Sequence, residues 1–371
     1  MKKLGFGLMR LPLLNEEDKK SIDKEKAAEM ADLFLERGFT YFDTAYMYHE
    51  YESERAVKDF LVARKDRDSY TLASKLPVMQ LKEKEDMERI FNEQREKCGV
   101  EYFDYYLLHA LDAEHYKTVK RLGCFEFAMQ KKAEGKVKHV GFSFHDSAEV
   151  LDEILTEHPE AEFVQLQLNY LDWEDAKVQS RRCYETAVKH GKKVVVMEPV
   201  KGGTLANLPE KAREILHQMH PTWSDASWAI RFVASLENVM VVLSGMSNMA
   251  QMEDNSGYME QFEPLTEEEK KVLLGEVVDI IHEAAKIPCT ACRYCVEGCP
   301  MSIAIPEYFA LYNEEITDKG NPEHKARFEA LTKEHGKPSD CVACGQCEGA
   351  CPQHLPVIEW LKKVAEIFEG K

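Results

Sequence analysis

The 371-residue sequence has no apolar run near the roughly 20 residues that span a bilayer. Its one signal-like stretch, Met1-Lys2-Lys3 followed by Leu4–Met9, is interrupted by Arg10 and has no small-residue cleavage site after it, so it is expected to be a first strand in a cytoplasmic protein. Positive charge is scarce, with 48 Lys and Arg against 66 Asp and Glu, a formal net charge of −18. Such a surface repels phosphate backbones and anionic lipid, which excludes nucleic acid and membranes as main partners. There is no Walker loop and no G-x-G-x-x-G turn. Gly141-x-Ser143-x-His145 lacks the second glycine of a nucleophile elbow, and His49-Glu50 and His145-Asp146 lack a third metal ligand. Repeats other than those of cysteine, and low-complexity segments, are missing too. The balance of 44% hydrophobic and 31% charged residues suits a large folded core with an appended module.

Cysteine is the opposite case. There are 11, and eight of them form two runs, Cys289-x-x-Cys292-x-x-Cys295-x-x-x-Cys299-Pro300 and Cys341-x-x-Cys344-x-x-Cys347-x-x-x-Cys351-Pro352. This is the spacing of bacterial ferredoxins, in which three closely spaced thiolates wrap one [4Fe-4S] cube and the fourth reaches the other cube. One cluster is therefore expected on Cys289, Cys292, Cys295 and Cys351, and the second on Cys341, Cys344, Cys347 and Cys299. Disulfides need an oxidising compartment. Zinc, held by two Cys-x-x-Cys pairs, leaves the remaining cysteines and the prolines without a purpose. Cys98, Cys124 and Cys183 are expected to be small buried hydrophobes.

Ahead of the cysteines, short apolar runs alternate with helical periodicity. Eight strands are expected at Leu4–Met9, Tyr41–Ala45, Tyr70–Ser74, Tyr105–His109, Val137–Ser143, Phe163–Asn169, Lys193–Val200 and Val239–Gly245. Helices are expected at Lys24–Arg37, Glu52–Arg64, Glu85–Lys97, Lys117–Lys132, Ser147–Glu157, Lys177–Lys189 and Ala226–Leu236. Eight strand–helix units make a (β/α)8 TIM barrel the expected α/β fold, with an open doubly wound sheet as the alternative. Thr266 and Glu269 form a capping box for a helix running to about Lys286. The domains are expected at 1–285 for the barrel and 286–371 for the ferredoxin-like module, whose two cysteine runs flank helical segments near Pro306–Tyr312 and Glu323–His335.

Barrel chemistry sits at the carboxyl ends of the strands. Asp43, Tyr48, Lys75 and His109 fall at or just past the ends of strands two, three and four. Asp43-Thr44-Ala45-x-x-Tyr48 with Glu54 beyond it, Ala73-Ser74-Lys75 and Leu107-Leu108-His109 resemble the aldo-keto reductase family over roughly residues 1–257. The module is similar to that of the subgroup with a C-terminal ferredoxin domain. The resemblance implies hydride transfer between NAD(P)H and a carbonyl or alcohol, with Tyr48 as general acid and base. Independently, an ammonium beside a phenol is expected to lower its pKa; Asp43 would hold Lys75 charged, and His109 would orient the substrate oxygen.

The resemblance also implies nucleotide contacts. Ser143 and Gln165 match residues that hold the nicotinamide carboxamide, and Pro199, Gly202 and Gly203 match a small-residue loop at the pyrophosphate. Gly245, Ser247, Gln251 and Asn255 match the segment after strand eight, with a turn and a helix cap as the alternative roles of Gly245 and Asn255. Three positions depart from the family: Phe144 replaces an Asn, Met197 an aromatic residue, and no Arg or Lys lies between 246 and 255 to clamp a 2′-phosphate. Tyr46, Tyr51, Tyr170 and Trp173 suit a planar or apolar substrate and a packed rim equally.

A nicotinamide moves two electrons as hydride and a cube moves one. The module is thus expected to relay electrons to a redox partner protein. The alternatives are a flavin- or cluster-dependent redox enzyme on the same barrel, and an electron-transfer subunit with a non-catalytic barrel.

Overall fold

The computed structural model describes residues 2–283 and 287–370. The boundary expected at 285/286 and the helix end at Lys286 lie outside the described residues. All eight strands form: β1 Leu4–Gly7, β2 Tyr41–Asp43, β3 Thr71–Leu76, β4 Phe103–Leu111, β5 Val137–Phe144, β6 Phe163–Gln167, β7 Lys193–Met197 and β8 Val239–Ser244. They pair in parallel in chain order, and β1 closes the ring on β8 through Leu4↔Val242, Gly5↔Leu243 and Phe6↔Ser244. The open doubly wound sheet is therefore not formed.

The strands are buried on both sides, which is why they read as short, nearly unbroken apolar runs. Tyr41, Ala73, Leu107, Phe163, Val195, Val241 and Leu243 pack together from six strands and fill the ring. The segment expected as one helix over 117–132 is two, Ala113–Leu122 and Cys124–Ala133. Gly123 separates them with φ 72°, a left-handed conformation that costs glycine little. Helices Glu210–Met219 and Met249–Glu260 were not expected from the periodicity. The Thr266–Glu269 capping box is formed: the Glu269 carboxylate accepts from Thr266 N at 2.6 Å, and Thr266 Oγ1 accepts from Glu269 N.

The chain divides into two compact units. One comprises Met1–Pro199 with Trp223–Lys271, and contains the whole barrel; the other comprises Val200–Thr222 with Val272–Lys371. In the second unit, helices Ile305–Thr317, Pro322–Glu334 and Val357–Phe368 enclose a core that includes Ile305, Tyr308, Phe309, Leu361 and Val364. Cys98, Cys124 and Cys183 are buried in the barrel unit. Among the described residues no helix is long and apolar enough to cross a membrane.

Candidate active site and cluster centres

The register of β2, β3 and β4 brings Asp43 beside Ala73 and Lys75 beside Leu107, so the Asp43 and Lys75 side chains meet although 32 residues apart. Lys75 Nζ donates to Asp43 Oδ1 at 2.5 Å, to the Thr44 carbonyl at 2.8 Å and to Tyr48 Oη at 3.4 Å. Three acceptors around one nitrogen match the three protons of an ammonium. Lys75 and Asp43 are buried, at 0% and 2% exposure. The ammonium also lies 4.8 Å from the centre of the Tyr48 ring. The His109 ring meets the Tyr48 ring edge-on, centroids 6.1 Å apart. The four residues expected at the mouth are thus one cluster.

Their electrostatics differ from the expectation in one respect. The Tyr48 phenol is pushed well above its usual range, first by burial and then by the Asp43 and Glu198 carboxylates, with Arg10 opposing. An acidified phenol is therefore not what this geometry produces. The contact to Lys75 is long, and the ammonium is engaged at shorter range by Asp43. Burial pushes the Asp43 carboxyl up and the Lys75 amine down, and their mutual contact opposes both shifts. Burial, with Lys75 nearby, holds His109 well below the usual imidazole range. A neutral imidazole thus lies edge-on to a neutral phenol.

Behind Lys75 stands a buried polar layer. Glu54 Oε1 accepts from Ser74 Oγ and Gln94 Nε2, each at 2.7 Å. Gln94 Nε2 also donates to the Lys75 carbonyl at 3.0 Å, and Gln94 Oε1 accepts from Tyr106 Oη at 2.7 Å. Gln94 and Tyr106 carried no sequence signal, because they join the site only once the barrel closes. On the other side, the turn after Tyr48 is left-handed at His49, Glu50 and Tyr51 (φ 51°, 50° and 75°). It is pinned by His49, whose Nε2 accepts from Leu11 N at 3.1 Å while Nδ1 sits 2.9 Å from the Lys19 carbonyl. Of the four aromatic residues suited to a pocket or a packed rim, Tyr170 and Trp173 pack edge-on to Phe232. Tyr46 and Tyr51 pair with each other, and Tyr51 is exposed.

The expected nucleotide residues divide into three groups. Ser143 and Gln165 stand opposite each other on β5 and β6, both buried. Ser143 Oγ accepts from Ala110 N, and Gln165 Oε1 is a buried acceptor with no partner. An unsatisfied buried carbonyl suits the amide N–H of a carboxamide, so these two residues fit a nicotinamide. After β8, Ser247 N donates to Gln251 Oε1, while Asn255 donates to Ser244 Oγ and accepts from Tyr258 Oη. Their polar groups are thus engaged in turn and cap contacts, and Gly245 lies against the Arg10 side chain. Pro199 ends the stretch belonging to the barrel unit, whereas Gly202 and Gly203 belong to the second unit. A side chain at Gly202 would lie 2.5 Å from Thr290 Cα, so its smallness serves that close approach. Gly203, at φ 103°, faces open space.

In the second unit the cysteines gather in the expected crossed sets. Cys295 is pushed up to about 12 by burial and by its neighbours Cys292, Cys289 and Cys351. Cys347 is pushed up to about 11 by burial and Cys341. A cavity is lined by Cys299, Cys341, Cys344 and Cys347, with Ile303, Ile305 and Leu361 among its apolar walls. Four soft thiol donors around an apolar hollow fit an iron–sulfur cube. Among the described residues no group of His, Cys, Asp or Glu is drawn together as a site for a single metal ion.

Residues 3–273 match the aldo/keto reductase family, and residues 288–355 match the 4Fe-4S dicluster domain. The F420-dependent formate dehydrogenase subunit beta of Methanocaldococcus jannaschii is 33% identical over 70 residues, which are 19% of this chain and 18% of that relative. An aldo-keto reductase from Bacillus halodurans, solved in its holo form, is similar with a TM-score of 0.58 and 25% identity, over 73% of this chain and 90% of that one. An aldo-keto reductase from Klebsiella pneumoniae in complex with NADPH has the same fold, with a TM-score of 0.57 and 16% identity over 74% and 91%.

Proposed function

The chain belongs to the aldo/keto reductase family, and from that premise we propose that it interconverts a carbonyl and an alcohol with NAD(P)H, using Tyr48 as proton donor and acceptor, while its 4Fe-4S module exchanges single electrons with a partner protein. The observation that carries this proposal is the convergence of Asp43, Thr44 and Tyr48 on one buried lysine nitrogen. A bound nicotinamide supplies hydride to the carbonyl carbon. The residues supply the rest. Tyr48, kept neutral by burial, gives its proton to the carbonyl oxygen as negative charge develops there. The phenolate left behind faces the Lys75 ammonium, which Asp43 holds in place. Neutral His109 donates a hydrogen bond to the same oxygen and fixes its direction. In the reverse direction the phenolate takes the alcohol proton. Ser143 and Gln165 would orient the carboxamide.

Cys289, Cys292, Cys295 and Cys351 would hold one cluster, and Cys341, Cys344, Cys347 and Cys299 the other. Each cluster supplies a one-electron carrier. Tyr48→Phe is expected to lower turnover by roughly 10²–10⁴-fold with nucleotide affinity unchanged. Full turnover by that variant would refute the assignment. Changing all eight module cysteines to serine is expected to abolish reduction of one-electron dyes while carbonyl reduction persists. A visible flavin band in the purified protein would favour a flavin-dependent reaction instead.

A further inference from the structure

Resting on the carbonyl–alcohol reading above, we propose that His115 is a positioning residue for that reaction, clamping the strained peptide that follows His109 and so setting the direction of the His109 ring. From Leu108 to Leu111, β4 advances three residues while β5 advances two, from Phe142 to Phe144. The extra residue makes a bulge, and it falls on His109 and Ala110. Bulges bend a strand and re-aim the side chains they carry. Ala110 has a left-handed φ of 55°. Alanine adopts that conformation only at a cost, because its Cβ crowds the following carbonyl oxygen. Such strain persists where the surroundings hold it in place.

Two contacts hold it, one at each polar group of the Ala110 backbone. Ala110 N donates to Ser143 Oγ at 2.7 Å, and the Ala110 carbonyl lies 2.7 Å from His115 Nδ1. A carbonyl only accepts, so His115 Nδ1 carries the proton of this bond. His115 is fixed in turn by Asp112, the N-cap of helix Ala113–Leu122. Asp112 Oδ1 accepts from His115 N at 2.6 Å, and its Oδ2 lies 3.2 Å from His115 Nδ1. Beyond the bulge the ladder resumes, with His145 N donating to the Leu111 carbonyl at 2.9 Å. A hydrogen bond at its second nitrogen commonly fixes a working imidazole. His109 is built differently: among the described residues its Nδ1 is buried without a hydrogen-bond partner. The edge-on approach of its ring to Tyr48 therefore depends on the backbone beneath it, which is the peptide that His115 clamps. His115 is itself half-buried, so replacing it opens no hole in the core.

The test measures kcat for NAD(P)H-dependent reduction of a panel of aliphatic and aromatic aldehydes and ketones, together with nucleotide Kd, in the full-length protein. His115→Leu removes the donor and is expected to lower kcat by roughly 10²-fold, the scale of a small misplacement at the reacting centre, with nucleotide Kd unchanged. His115→Asn is expected to keep kcat near the parent value, because its Nδ2 stands as far along the side chain as the imidazole Nδ1. Parental kcat in His115→Leu, an equal loss in His115→Asn, or a loss of nucleotide affinity alongside kcat would overturn the proposal. If His115→Leu does not fold, Ala110→Gly/His115→Leu decides, because glycine holds a left-handed turn without a clamp. A folded double variant with near-parental kcat supports the proposal, and one that is unfolded or inactive overturns it. A parent protein that reduces no member of the panel would instead overturn the carbonyl–alcohol reading itself.

Discussion

Replacing Lys75 by Met separates what the lysine does for the fold from what it does for the reaction. The substitution leaves the Asp43 carboxyl 2% exposed with no ammonium against its Oδ1, while Oδ2 already has no partner. Removing one member of a buried ion pair costs about 3–5 kcal/mol, because the other stays buried and uncompensated. The carboxyl escapes part of this by protonating. Burial already raises its pKa, and loss of Lys75, which opposes that rise, lifts it further. The sign follows from linkage: the folded state then holds a proton that the unfolded chain releases near pH 4, so stability is kept at low pH and lost as pH rises through the folded value. The deficit of Lys75→Met should therefore be small at pH 5 and grow towards pH 8. The double variant Asp43→Leu/Lys75→Met removes the stranded carboxyl and should recover most of the loss, while carbonyl reduction stays abolished in both. Urea unfolding followed by far-ultraviolet circular dichroism, at both pH values, reads the stabilities. A Lys75→Met protein as stable as the parent at pH 8, or a double variant no better than the single one, would refute the buried ion pair.

The pH profile should be asymmetric. With the Tyr48 phenol held above its usual value of 10, reduction should lose no rate from its deprotonation through the neutral range, whereas alcohol oxidation should climb about tenfold per pH unit towards pH 10. Oxidation that levels off below pH 8 would count against a buried, non-acidified phenol. Glu54 is buried with its carboxyl pushed up first by burial, so the parent loses stability as pH rises above the unfolded value near 4.5. Glu54→Gln keeps the shape without the titration, and its melting temperature relative to the parent should rise from pH 5 to pH 8; a constant difference would contradict this. Because Cys344 is exposed, aerobic purification should lower the iron content relative to anaerobic purification. Equal iron content would argue against an accessible cluster.

The barrel was legible because its strands are buried on both faces, and all eight apolar runs became strands with ends shifted by a few residues. The helix boundaries were less so. The 117–132 stretch keeps its periodicity across Gly123, and only tertiary packing turns that glycine into a break. The Asp43–Lys75–Tyr48 contact could be foreseen from strand ends, since parallel register fixes what lies side by side. The direction of the Tyr48 shift could not, because it depends on how completely the ring is buried. Gln94 and Tyr106 were invisible for the same reason. Gly202 is the opposite case: a small-residue loop after β7 resembles a phosphate cradle, but in the fold Gly202 belongs to the second unit and lies against Thr290.

The most direct measurement is the fate of deuterium from 4-deuterated NAD(P)H, followed anaerobically with a panel of aliphatic and aromatic aldehydes and ketones. Deuterium on the carbinol carbon of the product, lost together with turnover in Tyr48→Phe while that variant still binds the nucleotide, is the predicted result. A product alcohol without deuterium, or full labelling by Tyr48→Phe, would contradict the account.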